Sequence, residues 1–137
     1  MPFNNLFGSR ILGELAQYPD QKLYKAAGLL TEDERPKNPV RLMDPDPKKN
    51  YLFKLRPHTA GLADYRTNNI YITDRQSEDN NDPRWLAGLM GHEAEHFKRQ
   101  DKEGQEKEAY AKQLAILDRL KYQGPNLNAL KQSARGR

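Results

Sequence analysis

The stretch Asp82-Pro83-Arg84-Trp85-Leu86-Ala87-Gly88-Leu89-Met90-Gly91-His92-Glu93-Ala94-Glu95-His96-Phe97-Lys98-Arg99 decides the reading of this chain. It opens on an aspartate suited to cap a helix and a proline suited to the first helical position. It closes on two cations, which the C-terminal end of a helix dipole favours. Between these ends, Trp85, Leu89, His92 and His96 fall at i, i+4, i+7 and i+11, and Leu86, Met90, Glu93 and Phe97 form the neighbouring stripe. The spacing predicts a helix from Pro83 to about Gln100 with both histidines and Glu93 on its apolar half. Arg84, Glu95, Lys98 and Arg99 fall largely elsewhere.

His92-Glu93-Ala94-Glu95-His96 reads H-E-x-x-H, and it uses two of the three histidines in the chain. Residues four apart on a helix share a face. Two imidazoles at that spacing can reach one Zn²⁺ while the glutamate between them points at a water on the metal. Two histidines and a carboxylate on an apolar face are costly to bury unless they are paired or bind metal. The competing reading is a pair of partly exposed histidines on a charged helix.

Such a site needs a third protein ligand. No histidine follows His96, His58 lies upstream in a loop, and there is no cysteine. Glu103, Glu106 and Glu108 remain. A second helix, predicted over about 105–122 and stopped by Gly124-Pro125, separates them by phase. Glu106, Ala109, Tyr110, Gln113, Leu117 and Leu120 share one face, whereas Glu108 lies with Lys112, Ala115 and Arg119. Glu103 precedes the break at Gly104. The phase selects Glu106, with Glu108 as the alternative; acids in a first helical turn also answer the helix dipole without any ligand.

Upstream, Asn69-Ile70-Tyr71-Ile72-Thr73 and Tyr51-Leu52-Phe53-Lys54-Leu55 are rich in β-formers and bounded by turn residues, and both read as strands. Leu62-Ala63-Asp64-Tyr65 offers a further strand and Val40-Arg41-Leu42-Met43 a short one. The expectation is an α+β fold: a small antiparallel sheet packed against the H-E-x-x-H helix and a following helix. Four segments make up one domain: a helical stretch over 1–30 interrupted at Pro19-Asp20, a proline-rich connector over 31–50, a metal-binding core over 51–122, and a basic flexible tail over 123–137.

Composition sets the outer bounds. The 137 residues are 36% hydrophobic and 31% charged, which gives one domain with a thin core. The formal net charge is +4, and residues 121–137 supply all of it through Lys121, Lys131, Arg135 and Arg137. A nucleic-acid face needs cations clustered on a folded surface, so this distribution favours a solubilising end over a nucleic-acid arm. No run of about 20 apolar residues is present, and Met1-Pro2-Phe3-Asn4-Asn5 begins no secretory signal. The cytoplasm is the default compartment.

His92-Glu93-Ala94-Glu95-His96 followed by Glu106-Lys107-Glu108-Ala109-Tyr110 resembles the zincin metallopeptidases of the gluzincin type, in which the third ligand is a glutamate on a second helix, written E-x-x-A. The resemblance covers about residues 51–122. It implies a Zn²⁺ cofactor held by His92, His96 and Glu106, Glu93 as general base, and a protein or peptide as substrate. It likens Asn69–Thr73 to the edge strand that pairs with extended substrate. His58, Tyr65 and Tyr110 are candidate donors to the oxyanion, and Asp101 a candidate to orient a ligand imidazole. Glu95 and Lys98 are charged where the extended zincin signature has an uncharged and a hydrophobic residue. Only nine residues separate His96 from Glu106, so the turn between the helices must be tight. The alternative function is an inert zincin-like metal-binding or structural component of a larger assembly.

Overall fold

The computed structural model describes residues 17–55, 59–74, 81–99 and 105–136. In chain order it contains helix α1 (Gln21–Ala27), strand β1 (Val40–Met43), a single-turn helix α2 (Leu52–Leu55), strands β2 (Gly61–Asp64) and β3 (Asn69–Thr73), then helices α3 (Pro83–Lys98), α4 (Gln105–Arg119) and α5 (Leu127–Arg135). This is a minimal zincin-like α+β arrangement, a three-stranded sheet packed with α3 and α4.

Helix α3 begins as its sequence dictates. The Asp82 carboxylate accepts from the Arg84 backbone N–H at 2.9 Å, and Pro83 occupies the first turn. Every residue from Trp85 to Ala94 is buried, and so is Glu95. The helix is therefore central, enclosed by α1, β2, β3 and α4. The polar side expected at Glu95 is absent. Its carboxylate is instead buried in ion pairs, 2.9 Å from Arg99 Nε and 3.6 Å from Lys98 Nζ. A buried carboxylate is tolerated when it is paired in this way.

The approach of α4 to α3 depends on two glycines. A Cβ at Gly91 would stand 2.2 Å from Ile116 Cδ1, and one at Gly88 would stand 3.0 Å from Leu117 Cδ2. With bare backbone at both positions, Ile116 and Leu117 lie fully buried against α3.

The sheet has the order β1-β3-β2. It is mixed: β2 pairs antiparallel with β3, while β1 pairs parallel with β3 (Val40 opposite Ile70). Asn69–Thr73 is thus the middle strand, which corrects its comparison with an edge strand. Ile70 and Ile72 are fully buried, as a strand covered on one face and paired on both sides requires. The edge beside the helices is β2.

The strand expected over Tyr51–Leu55 is also corrected, to α2. Strand alternation would put Tyr51, Phe53 and Leu55 on one face. Only Phe53 is buried, while Tyr51 and Leu55 are each 66% exposed. The backbone turns instead, with Phe53 N–H donating to the Asn50 carbonyl and Lys54 N–H to that of Tyr51. Asn50 is itself anchored, its side-chain amide donating to the Asp44 carbonyl at 2.7 Å.

At the chain ends, Asp20 caps α1 by accepting from Lys22 N–H at 2.8 Å, just after the predicted interruption at Pro19-Asp20. The helical piece expected before it lies outside the described residues. Within the segment read as a flexible tail, Leu127–Arg135 forms α5 and buries Leu130. No helix among the described residues is long and apolar enough to cross a membrane.

The glycine seam generates a prediction. Alanine at position 91 gains about 1 kcal/mol of helix propensity, which offsets part of its clash. Leucine cannot be seated there without parting the helices. Gly91→Leu is expected to lower unfolding free energy by about 2–3 kcal/mol in urea titration. A stability equal to wild type contradicts the close approach.

Candidate metal centre

Helix α3 carries His92 and His96 one turn apart on its cleft side, with ring centroids 5.1 Å apart. Helix α4 begins at Gln105, and Glu106 in its first turn faces the two rings. Glu106 Oε1 lies 2.5 Å from His96 Nε2 and 3.6 Å from His92 Nε2. One donor atom from each of the three residues falls within 4.8 Å of the others. His92, His96 and Glu106, on adjacent helices, thus form an H-E-x-x-H-plus-glutamate cluster of the gluzincin type.

Glu108 points away, its carboxylate 3.9 Å from Arg99 Nη2. Glu106 thus faces the rings and Glu108 does not. Arg99 therefore pairs with Glu95 on α3 and with Glu108 in the first turn of α4.

The outer contacts of the rings fix what the inner nitrogens can do. His92 Nδ1 is 2.8 Å from Gln113 Oε1, and His96 Nδ1 is 3.1 Å from Gln105 Oε1. Both Nε2 atoms are left facing Glu106. Two imidazoles and one carboxylate, with both Nδ1 atoms already engaged, make a donor set that suits Zn²⁺. Neither glutamine stands out in the sequence as a site residue. The only signal for Gln113 is its place two turns after Glu106 on the same face of α4.

Glu93 lies over the cluster, its Oε1 3.9 Å from His92 Nε2. Strand β2 covers it closely: a Cβ on Gly61 would stand 3.3 Å from Glu93 Cγ. Burial, reinforced by the nearby Glu106 carboxylate, pushes the Glu93 carboxyl up to about 8. Burial also holds the His92 imidazole below its ordinary value, against the raising pull of Glu106. A divalent cation between these groups opposes the charge of Glu106 and favours an ionised Glu93.

The residues open onto a cleft of about 740 Å³. Residues 59–63 form one wall, Trp85 and Leu89 continue the α3 stripe, and Leu52 and Leu130 come from α2 and α5. Tyr65 and Tyr110 also line it. The Tyr65 hydroxyl sits 3.2 Å from the His96 carbonyl oxygen and 3.3 Å from Gln105 Oε1. The Tyr110 ring meets His92 edge-on at 4.8 Å. His58 and Asp101 lie outside the described residues.

Compared with protein-family models, with curated proteins and with solved structures, the chain matches none. The site is therefore defined by its own geometry.

The raised Glu93 carboxyl has a stability consequence in the metal-free protein. Unfolded Glu93 loses its proton near 4.5 and folded Glu93 near 8, so the folded state holds the extra proton between those values and stability falls as pH rises through them. His92 acts oppositely, but only below its ordinary value of 6.5. From pH 6.5 to about 8 the Glu93 effect stands alone of the two. Urea midpoints in chelator are expected to fall across that window and to flatten in Glu93→Gln. A wild-type midpoint that rises would contradict the burial of Glu93.

Proposed function

We propose that this protein is a zinc-dependent metallopeptidase that hydrolyses peptide bonds with Glu93 as general base. One observation carries the reading: the Nε2 atoms of His92 and His96 and the Oε1 of Glu106 converge in an open cleft with Glu93 beside them. A purely structural zinc site closes with four protein ligands, whereas three ligands leave a position open for water and substrate. A buried carboxylate next to the ligands and a cleft large enough for a peptide segment are what hydrolysis needs.

A bound zinc ion supplies Lewis acidity, polarising the scissile carbonyl and lowering the pKa of water at the metal. The remaining work falls to the chain. His92, His96 and Glu106 would hold the ion, with Glu106 as the carboxylate of the set. The Glu93 carboxylate takes the proton of the attacking water and delivers it to the nitrogen of the leaving amine. Its burial under β2 keeps bulk water from competing for that proton. Leu52, Leu62, Trp85, Leu89 and Leu130 give the cleft apolar walls beside the reacting groups.

Elemental analysis and peptide cleavage, measured on the same preparations, test the proposal. Wild type should hold about one zinc per chain, as three protein ligands around a single open position require. His96→Ala should lose it. Glu93→Gln should keep the metal while cleavage of unstructured substrates falls by about 10²–10⁴-fold. Glu106→Gln should weaken zinc binding, and Glu108→Gln should leave it unchanged. A wild type free of metal after purification in zinc contradicts the proposal. So does full cleavage by Glu93→Gln.

A further inference from the structure

We infer that Gln113 is a positioning residue of the metal centre: its side-chain carbonyl holds His92 as the Nδ1–H tautomer and turns Nε2 toward Glu106. The inference rests on the zinc reading above, and one arm of its test needs no metal.

Gln113 Oε1 is 2.8 Å from His92 Nδ1, and both residues are buried, with Gln113 only 2% exposed. A carbonyl oxygen accepts and cannot donate. A neutral imidazole carries one N–H, so a proton held at Nδ1 leaves the lone pair at Nε2, where a metal needs it. The other ring nitrogen offers the proton nothing as close: the Glu106 oxygen is 3.6 Å from His92 Nε2. Hydrogen bonding and metal binding therefore call for the same tautomer.

Packing fixes the amide as well as the ring. Gln113 lies two turns beyond Glu106 on α4, so the helix that supplies the carboxylate ligand also supplies this acceptor. A Cβ on Gly88 would stand 3.3 Å from Gln113 Cγ, so the bare backbone of α3 makes room for the glutamine stem. The Tyr110 ring, edge-on to His92, limits rotation of the imidazole from another side. His96 has a related contact to Gln105, but that pair is only partly buried and shares its acceptor with the Tyr65 hydroxyl. A hydrogen bond is felt most where water cannot replace it, which singles out Gln113.

An amide also differs from a carboxylate in charge. It orients His92 without adding a negative charge to a site that already holds Glu106 and Glu93. Exchange for glutamate should keep the ring oriented, whereas methionine fills similar space with no oxygen.

Two measurements test the assignment. The first is nitrogen-15 NMR of His92 in the metal-free wild-type protein above pH 7, with an Nδ1–H signal expected. The second is zinc affinity by competition with a chromophoric chelator. Gln113→Met should bind zinc about 10–100-fold more weakly than wild type, while Gln113→Glu stays much closer to it. A proton on Nε2 of wild-type His92 overturns the inference, and that arm holds even if a variant fails to fold. Equal zinc affinity of Gln113→Met and wild type overturns it too. If wild type binds no zinc, the zinc reading fails, and the tautomer measurement still decides whether Gln113 orients His92.

Discussion

The contact between α3 and α4 is the constraint on which the rest of this molecule depends. Neither helix holds a metal alone. Helix α3 brings two imidazoles, and α4 brings the carboxylate and both amides that meet their outer nitrogens. Those five side chains meet only if the helix backbones come close, and Gly88 and Gly91 permit that approach. The ionic bridge from Glu95 through Arg99 to Glu108 spans the same two helices at the end where Glu106 turns inward. The Arg99–Glu108 arm is exposed, and such pairs are worth about 0–1 kcal/mol, so it refines a register that apolar packing of Ile116 and Leu117 sets.

Around that pair the other elements act as cover. Strand β3 buries Ile70 and Ile72 and carries β2 on its outer side. Strand β2 in turn lies over Glu93, where Gly61 brings its backbone near the carboxylate. Burial is what gives Glu93 its high proton affinity and what makes the cluster sensitive to a cation. A small sheet is enough for this task, because it needs to cover only one face of one helix.

Much of this was legible in the sequence, and the reasons are local. Asp82-Pro83 marked the start of α3 because capping chemistry depends on adjacent residues alone. Helical phase put Glu106 inward and Glu108 outward, since a face is a property of spacing. Strand β3 was legible from its β-branched run. The failures have a common origin in contacts distant along the chain. Tyr51–Leu55 has strand-like composition, yet only Phe53 finds a core to enter, so the segment turns into α2. Asn69–Thr73 could be recognised as a strand but not as the middle one, because the parallel partner Val40–Met43 comes from a segment that reads as connector. Glu95 falls off the apolar half by phase, yet it is buried and paired with Lys98 and Arg99. Gln113 carried no chemical signal at all; its role appears only once His92 lies against it.

The central claim is that His92, His96 and Glu106 hold one zinc ion in an open cleft beside Glu93. Anomalous diffraction at the zinc edge from crystals of the intact chain tests it most directly. The account predicts a single peak about 2.0–2.2 Å from His92 Nε2, His96 Nε2 and a Glu106 carboxylate oxygen, with a remaining position open to the cleft. A zinc-equilibrated crystal with no peak there, or one whose ion is held by Glu108 in place of Glu106, would contradict it.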